Sequence, residues 1–167
     1  LEVNKEEMWA RIQPGIVYAE LNKRLALHGL LFGPDPSSGD TCKLGGMLAN
    51  NSSGPHTLRY GSVKDNVRAL RVCLESTGWL DAESYPLGDH ALEKVLYAHP
   101  PLGTILRMVQ DHVQVIRAKR PAVTKNSSGY NLFGLVDGLD RQVFDLPRLF
   151  VGSEGTLGIM SEATLNL

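Results

Sequence analysis

The stretch PDPSSGDTCKLGGMLANNSSG (34–54) decides how this chain is interpreted. Its glycines at 45, 46 and 54 alternate with small polar residues, so large side chains leave much of the backbone uncovered. Paired glycines before a short helical stretch (47–50) suit a diphosphate, because free N–H groups and a helix N-terminus both favour anionic oxygens. On composition alone, a glycine-rich turn without any ligand is the more frequent explanation of such residues.

A second glycine-rich segment, GSEGTLG (152–158), has glycines three residues apart. It matches neither the dinucleotide fingerprint GxGxxG nor a P-loop, which ends in Lys followed by Ser or Thr. It also precedes a strand-like segment, whereas a Rossmann fingerprint follows a strand and opens a helix. Both of those nucleotide-binding folds are therefore disfavoured.

Composition indicates one globular domain, because 167 residues with 43% hydrophobic and 21% charged content can bury a sizeable core. The net charge of -1 gives no field that would attract nucleic acid. No apolar run approaches the roughly 20 residues of a membrane span, and the N-terminus lacks signal-peptide features, so we expect a cytoplasmic protein. Cys42 and Cys73 stand far apart, which predicts reduced thiols and no metal or iron–sulfur site in this chain.

The spacing of apolar and turn residues predicts several elements. They are a strand over 8–12, a helix through Val17, Leu21 and Leu25 that ends near Gly29, a loop over 31–44, a hairpin of 67–75 with the segment around Trp79, a helix over 89–99 with Asp89 as N-cap, a helix over 102–120 with Pro101 in its first turn, and a terminal strand over 158–167. In the terminal strand, alternation puts Ile159, Ala163, Leu165 and Leu167 on one face. Strands before and after a helical region predict an α+β fold.

Four segments in this order resemble the FAD-binding domain of the vanillyl-alcohol-oxidase type FAD-linked oxidases. They are 34–54, RYGSVKDNV (59–67), KNSSGYNL (125–132) and LFVGSEGTLGIMSEATLNL (149–167). The resemblance is closest to the large D-2-hydroxyacid and D-lactate dehydrogenases that join this domain to a C-terminal iron–sulfur region. It implies that residues 1–167 are a partial FAD-binding domain of the PCMH type. This part would be mainly the second subdomain, with an antiparallel or mixed sheet flanked by helices and a helical insertion over about 87–121.

The resemblance also implies how noncovalently bound FAD lies along this chain. Residues along the flavin and pyrophosphate would be Ser37, Ser38, Gly39, Asp40, Thr41, Cys42, Lys43, Gly45 and Gly46, with Asn50, Asn51, Ser52, Ser53 and Gly54 beside them. The residues near the adenosine end would be Glu154, Gly155, Gly158 and Ile159, mostly through their backbone. Lys43 departs from the family, where a small hydroxyl residue is frequent; it either neutralises phosphate or is a solvated surface lysine.

Lys125 is a candidate for the substrate side of the flavin, where a cation would stabilise negative charge on the reduced cofactor. The alternative is a surface lysine beside a turn formed by Asn126 to Gly129. In the family, the catalytic base lies in a C-terminal substrate domain, so no catalytic residue is assigned here.

The function implied for the parent protein is oxidation of a D-2-hydroxyacid such as D-lactate, glycolate or D-2-hydroxyglutarate. Electrons would leave through an iron–sulfur region outside this chain or through another acceptor. The expected partners are the small hydroxyacid substrate and missing parts of the same polypeptide, including an upstream subdomain, with no nucleic acid and no membrane span. Two alternatives stay open: a flavin-free binding or assembly module that uses helices 89–120 as a contact surface, and an FAD oxidase for an alcohol, aldonolactone or ether lipid.

Overall fold

A computed structural model of the chain describes residues 1–123 and 125–167. The helices in these residues are α1 (Tyr18–Ala26), α2 (Leu44–Asn50), α3 (Thr57–Tyr60), α4 (His90–Ala98), α5 (Pro100–Asp111), α6 (Val113–Ala118), α7 (Leu132–Asp140) and α8 (Pro147–Phe150). The strands are β1 (Glu2–Asn4), β2 (Trp9–Ile12), β3 (Val67–Leu74), β4 (Gly78–Ala82), β5 (Ser84–Pro86), β6 (Val143–Asp145) and β7 (Ile159–Asn166). A single 3-10 turn, Val63–Asp65, precedes β3.

The main sheet has five antiparallel strands in the order β1-β2-β7-β3-β4. The last strand, β7, lies in the middle, where Ala163 pairs with Ile12 on one side and Leu70 on the other. Strands β5 and β6 form a separate two-stranded antiparallel sheet. Helices packed on an antiparallel sheet make an α+β fold, which confirms the predicted fold class, the hairpin of β3 and β4 and the terminal strand.

One face of the main sheet is buried, because its strands alternate apolar residues with polar ones. Leu70, Val72, Ala163 and Leu165 on this face are at most 3% exposed, and they share one apolar core with Leu21 of α1 and the buried residues of α2. Burying one leucine or valine side chain stabilises the fold by about 1.5–3 kcal/mol. This core therefore fixes α1 and α2 against the sheet.

The opposite face of the sheet is solvated and ionic. Arg71 lies 3.9 Å from both Asp81 and Glu162, and Arg11 lies 3.5 Å from Glu2. All five side chains are more than a third exposed, so each pair contributes about 1 kcal/mol or less. This face holds a shallow groove of about 300 Å³ that contains none of the predicted flavin residues.

The predicted orientation of Ile159 in β7 is wrong. The alternation places Ile159 on the buried side, yet this residue is 75% exposed. The register of β3 and β7 shifts between Arg71 and Val72, which pair with Glu162 and Met160 respectively. The extra residue on β7 between those two pairs makes a bulge that reverses the alternation. Met160 therefore packs against the core and Ile159 faces outward.

The predicted helix over 102–120 is also wrong as a single element. Helix α5 begins with prolines in its first turn, as predicted, but ends at Asp111, and α6 begins at Val113. Between them His112 has φ -114° and ψ 14°, outside the helical region. Its N–H donates to Met108 O at 3.2 Å, and its ring Nδ1 lies 2.9 Å from the same carbonyl. The imidazole thus shares the acceptor of the preceding turn, and the helix ends there.

Both predicted helix caps are confirmed. The Asp89 side chain accepts the Ala91 N–H at 2.8 Å at the start of α4. After α1, Gly29 takes φ +73° and donates to Ala26 O at 3.0 Å, while the Leu30 N–H donates to Leu25 O at 3.1 Å. This is the hydrogen-bond pattern of a helix that ends on a left-handed glycine.

Candidate functional site

Helix α2 connects the two ends of the glycine-rich stretch. It begins at Leu44, with Lys43 as the extended residue before it, so Gly45 and Gly46 lie inside its first turn. The helix was predicted to begin after the paired glycines, at residue 47. This start is wrong, because the helix begins three residues earlier. Leu44 is fully buried and anchors that first turn in the core.

The backbone N–H groups at the start of α2 are mostly occupied. Leu44 N–H donates to Ile16 O at 2.9 Å and Gly45 N–H to Pro14 O at 2.8 Å. A Cβ on Gly45 would lie 3.0 Å from Pro14 Cβ, so this glycine is closely packed against Pro14. Gly46 differs: within the part of the chain that the structure describes, its N–H has no acceptor and a Cβ on it would meet no heavy atom within 4 Å. Its backbone is therefore open to a group from outside.

The segment 37–43 is an ordered turn packed on the start of α1. Tyr18 N–H donates to Cys42 O at 3.0 Å, and Ala19 N–H donates to Gly39 O at 3.1 Å. The Tyr18 ring covers Gly39, where a Cβ would lie 2.9 Å from Tyr18 Cδ1. Burial raises the pKa of the Tyr18 hydroxyl, and the negative charge of Asp35 adds to the rise. The exposed residues of this turn are Ser37, Ser38, Asp40, Thr41 and Lys43.

At the other end of α2, Asn51 is buried and takes a left-handed conformation with φ 52°. Its Oδ1 accepts the Lys64 N–H at 2.9 Å, and Ser52 O accepts the Val63 N–H at 3.0 Å. Because its amide oxygen is engaged inside the protein, the Asn51 side chain holds the turn before β3. It is less available to a ligand than its sequence position suggests.

The two glycine-rich segments meet at this same end of α2. Gly152 N–H donates to Leu48 O and Glu154 N–H donates to Ala49 O, both at 2.9 Å. The last carbonyl groups of a helix have no hydrogen-bond donor within the helix, and here the segment 152–154 provides the donors. The structure therefore joins the end of α2 to residues 152 and 154 through backbone hydrogen bonds at Leu48 and Ala49. These two residues lie about 8 Å along the α2 axis from Lys43.

The backbone of GSEGTLG is mostly left-handed where it turns: φ is +88° at Gly152, +53° at Glu154 and +79° at Gly155. A Cβ on Gly158 would lie 2.7 Å from Val72 Cγ1, so that glycine lets the segment pack on β3. A Cβ on Gly155 would meet nothing within 4 Å. Internal packing thus accounts for Gly158, whereas only the left-handed backbone favours glycine at 155.

Residues 33–35 approach the segment 51–56 closely. A Cβ on Gly54 would lie 1.8 Å from Asp35 O, which only glycine permits. The Asp35 carboxylate also accepts the His56 N–H at 3.2 Å and pairs with the His56 ring. The loop 33–43 is therefore held at both of its ends, by α1 and by the 51–56 segment.

An open groove of about 510 Å³ adjoins the GSEGTLG segment. Its walls are residues 155–159, the ends of β3 and α8, and the start of α5, including Leu74, Leu102, Ile105 and Phe150. A mostly apolar groove of this size is within the range of sites that bind small molecules.

The segment 125–131, called the 125–131 loop below, crosses the meeting point of the glycine-rich segments. Lys64 Nζ donates to Asn126 O at 3.2 Å, and the Tyr130 hydroxyl lies 2.9 Å from Thr156 Oγ1. Lys125 is exposed at the start of this loop. The contacts of Lys64, Tyr130 and Thr156 could not be predicted from the sequence, because each joins residues that are distant in the sequence.

Within residues 1–123 and 125–167, no three or more His, Cys, Asp or Glu side chains lie together as metal ligands would. In the same residues, no helix combines the length and apolar character needed to cross a bilayer.

The α+β domain thus brings its two glycine-rich segments together on a short helix, with an apolar groove beside one of them. Residues 1–81 match the family model described as FAD binding domain. This part of the chain is therefore similar to an FAD-binding domain.

Several named proteins are similar to this chain over its whole length. It is 35% identical over 171 aligned positions to the D-2-hydroxyglutarate dehydrogenase of Pantoea ananatis, which covers 100% of this chain and 16% of that protein. It is 33% identical to the mitochondrial D-lactate dehydrogenase [cytochrome] of Kluyveromyces lactis, over 99% of this chain and 19% of the relative. A solved structure of alkyldihydroxyacetonephosphate synthase superposes with a TM-score of 0.58 at 28% identity, over 99% of this chain and 20% of that one. The chain thus spans about a fifth or less of each of these proteins.

Proposed function

We propose that this chain is part of the FAD-binding domain of a flavin-dependent oxidoreductase that oxidises a D-2-hydroxyacid. The observation that carries the proposal is the contact between the two glycine-rich segments at the end of α2, within a chain whose residues 1–81 match the FAD-binding domain model. The domain would be mainly the second subdomain, with residues about 87–121 as a helical insertion. The rest of the FAD site, and any iron–sulfur cluster, would lie in other parts of the polypeptide.

The residues of this chain fit noncovalent FAD unevenly. Gly46 fits well, since it carries an open backbone N–H in the first turn of a helix, where an anionic oxygen is favoured. The exposed turn 37–43 adds hydroxyl groups and the Lys43 ammonium beside it. The backbone of Glu154 to Ile159 and the adjoining groove suit the adenosine end. Gly45, Asn51, Gly54 and Gly158 are engaged in internal packing, so we assign them the role of shaping the site.

When bound, the flavin would accept the hydride from the substrate carbon. The contribution of this chain is to bind and orient the cofactor and to provide positive charge near its anionic groups. Lys43 would act at the diphosphate and Lys125 on the substrate side. A D-2-hydroxyacid is proposed because relatives are named for D-2-hydroxyglutarate, D-lactate and glycolate.

The first test is to produce this chain with the sequence that flanks it in its gene, purify the protein and record its absorption spectrum. We expect flavin absorbance that copurifies or that persists after FAD is added and the excess removed. A protein that stays colourless after this treatment would refute the proposal.

A matched pair of glycine variants tests the assigned surface. Gly46 and Gly103 both lie inside helices, and a Cβ on either would meet no heavy atom within 4 Å. Gly46→Asp should reduce FAD content strongly, because it places a carboxylate where the diphosphate is proposed to bind. Gly103→Asp, on α5, should leave FAD content unchanged. Equal FAD content in both variants would remove Gly46 from the site.

The similarity to alkyldihydroxyacetonephosphate synthase favours a second candidate, an FAD oxidase acting on an ether-lipid precursor. The two candidates differ in substrate and share the same FAD site. Reduction of the bound flavin under anaerobic conditions separates them: we expect bleaching by D-lactate, glycolate or D-2-hydroxyglutarate, while bleaching only by the lipid substrate would favour the second candidate.

A further inference from the structure

The 125–131 loop is fastened at one end by Lys64. The Lys64 ammonium donates to Asn126 O at 3.2 Å, while the Lys64 N–H donates to Asn51 Oδ1 at 2.9 Å. Asn51 is 3% exposed and caps the end of α2, so the backbone of Lys64 is bonded to a buried side chain at the end of this helix. The Lys64 ammonium therefore contacts the loop while the Lys64 backbone is held by Asn51.

The other end of the loop is fastened by Tyr130. The Thr156 hydroxyl donates its proton to Ser153 O at 2.6 Å, so it accepts from the Tyr130 hydroxyl at 2.9 Å. Tyr130 thus joins the loop to the GSEGTLG segment. Under the loop only about 10 Å³ of space remains, which is barely room for one water molecule.

These two contacts carry the tertiary hydrogen bonding of the loop. Among residues 1–123 and 125–167, no other hydrogen bond joins residues 125–130 to a distant part of the chain. The bond from the Ser128 N–H to Asn126 Oδ1, at 2.9 Å, is local. The exposed residues of the loop are Lys125, Ser127, Ser128, Gly129 and Tyr130. With so little burial, the position of the loop depends on Lys64 and Tyr130.

We propose that Lys64 is a positioning residue that sets the place of the 125–131 loop, and through it of Lys125, against the two glycine-rich segments. The effect on loop position is independent of any cofactor. The further consequence, that Lys64 orients Lys125 toward flavin or substrate, rests on the proposed function.

Trypsin cleavage after Lys125 reports the loop position directly, because the loop must leave its partners before the protease can bind it. The experiment uses the polypeptide with its natural flanking sequence, without added FAD. The variants are Lys64→Met, which removes the donor and keeps the stem, Lys64→Arg, which restores a donor, and Tyr130→Phe. The matched control is Lys94→Met, which removes an exposed lysine on α4.

We expect cleavage after Lys125 to be about tenfold faster in Lys64→Met than in Lys94→Met, because a hydrogen bond from a charged group is lost. Lys64→Arg should stay within about twofold of the unchanged protein, and Tyr130→Phe should accelerate cleavage by about fivefold. Mass spectrometry of the hydrogen exchange of the Ser128 amide should follow the same order.

Equal cleavage rates in Lys64→Met and Lys94→Met would overturn the proposal. So would an equal acceleration after Arg71 in the central strand β3, since that would indicate loss of global stability. If Lys64→Met does not fold, Lys64→Arg and Tyr130→Phe still test the loop. These outcomes are independent of FAD content, so a flavin-free protein with a Lys64-dependent loop would refute only the proposed function.

Discussion

Replacing Gly54 by alanine should destabilise the protein more than any other glycine-to-alanine change in the two glycine-rich segments, 34–54 and 152–158. A Cβ at this position would lie 1.8 Å from Asp35 O and 2.4 Å from Asp35 C, whereas real Cβ contacts essentially never fall below 3.0 Å. The two backbones must therefore separate by at least the difference, about 1.2 Å. That movement pulls Asp35 away from His56, whose N–H and ring it holds. Overpacking against backbone, with loss of these contacts, should cost about 2–4 kcal/mol.

The assay is urea unfolding followed by circular dichroism, with the free energy of unfolding compared among three proteins. Gly103→Ala is the control, because its Cβ meets open space inside α5; it should be neutral or stabilise the protein by up to about 1 kcal/mol. A Gly54→Ala protein within about 0.5 kcal/mol of the unchanged protein would refute the close approach of residues 35 and 54.

The remaining predictions concern a charge network, a titration and a cap. Arg148→Met should cost about 1–3 kcal/mol in urea unfolding, because Arg148 donates to Asp65 at 3.1 Å and lies 3.6 Å from the Asp145 carboxylate, which is only 11% exposed. Burial raises the pKa of the Tyr85 hydroxyl to about 12 in the folded protein. The unfolded chain therefore loses this proton at a lower pH, and the free energy of unfolding should fall as pH rises from about 10 to about 12. In Tyr85→Phe, the urea midpoints measured across this pH range should fall less. Asp89→Ala should lower stability by about 1 kcal/mol through loss of the N-cap of α4, an effect that thermal unfolding would detect.

Local sequence signals predicted those elements whose apolar spacing is regular. The hairpin of β3 and β4, the terminal strand, α1 and α4 follow from period and caps, and all are present. Helix α7 was not predictable in this way, because Gly134 and Gly138 interrupt its pattern. Both glycines serve tertiary contacts: a Cβ on Gly138 would lie 3.0 Å from Val143 O, and one on Gly134 would lie 2.8 Å from Arg148 Cδ. Similarly, the bulge in β7 depends on pairing with β3, which alternation within β7 alone does not reveal.

The sequence was enough to predict which segments form the candidate site. It was not enough to predict how these segments are arranged in space. Glycines and small polar residues marked 37–54 and 152–158, and resemblance to a family gave them a common ligand. Which backbone atoms face outward depends on α2, whose start at Leu44 places Gly45 and Gly46 in one turn with different surroundings. Lys64 lies within the RYGSVKDNV segment (59–67), yet the sequence does not indicate its contacts. Its role depends on Asn51 and Asn126, which lie on either side of it in the structure.

Some glycines of the two glycine-rich segments are tightly packed and others face open space. This difference reduces the number of residues that we expect to contact FAD. Gly54 and Gly158 have neighbours closer than 3.0 Å to an added Cβ, and Gly45 has one at 3.0 Å, so internal packing accounts for these three glycines. Gly46 has open space and a helical conformation, where alanine would be more stable by roughly 0.5–1 kcal/mol. The glycine at this position leaves an uncommitted N–H and room for a group from outside to approach the backbone. We therefore expect the anionic part of the proposed cofactor to bind at the first turn of α2, and not at the other end of this helix, where Leu48 and Ala49 bond to residues 152 and 154.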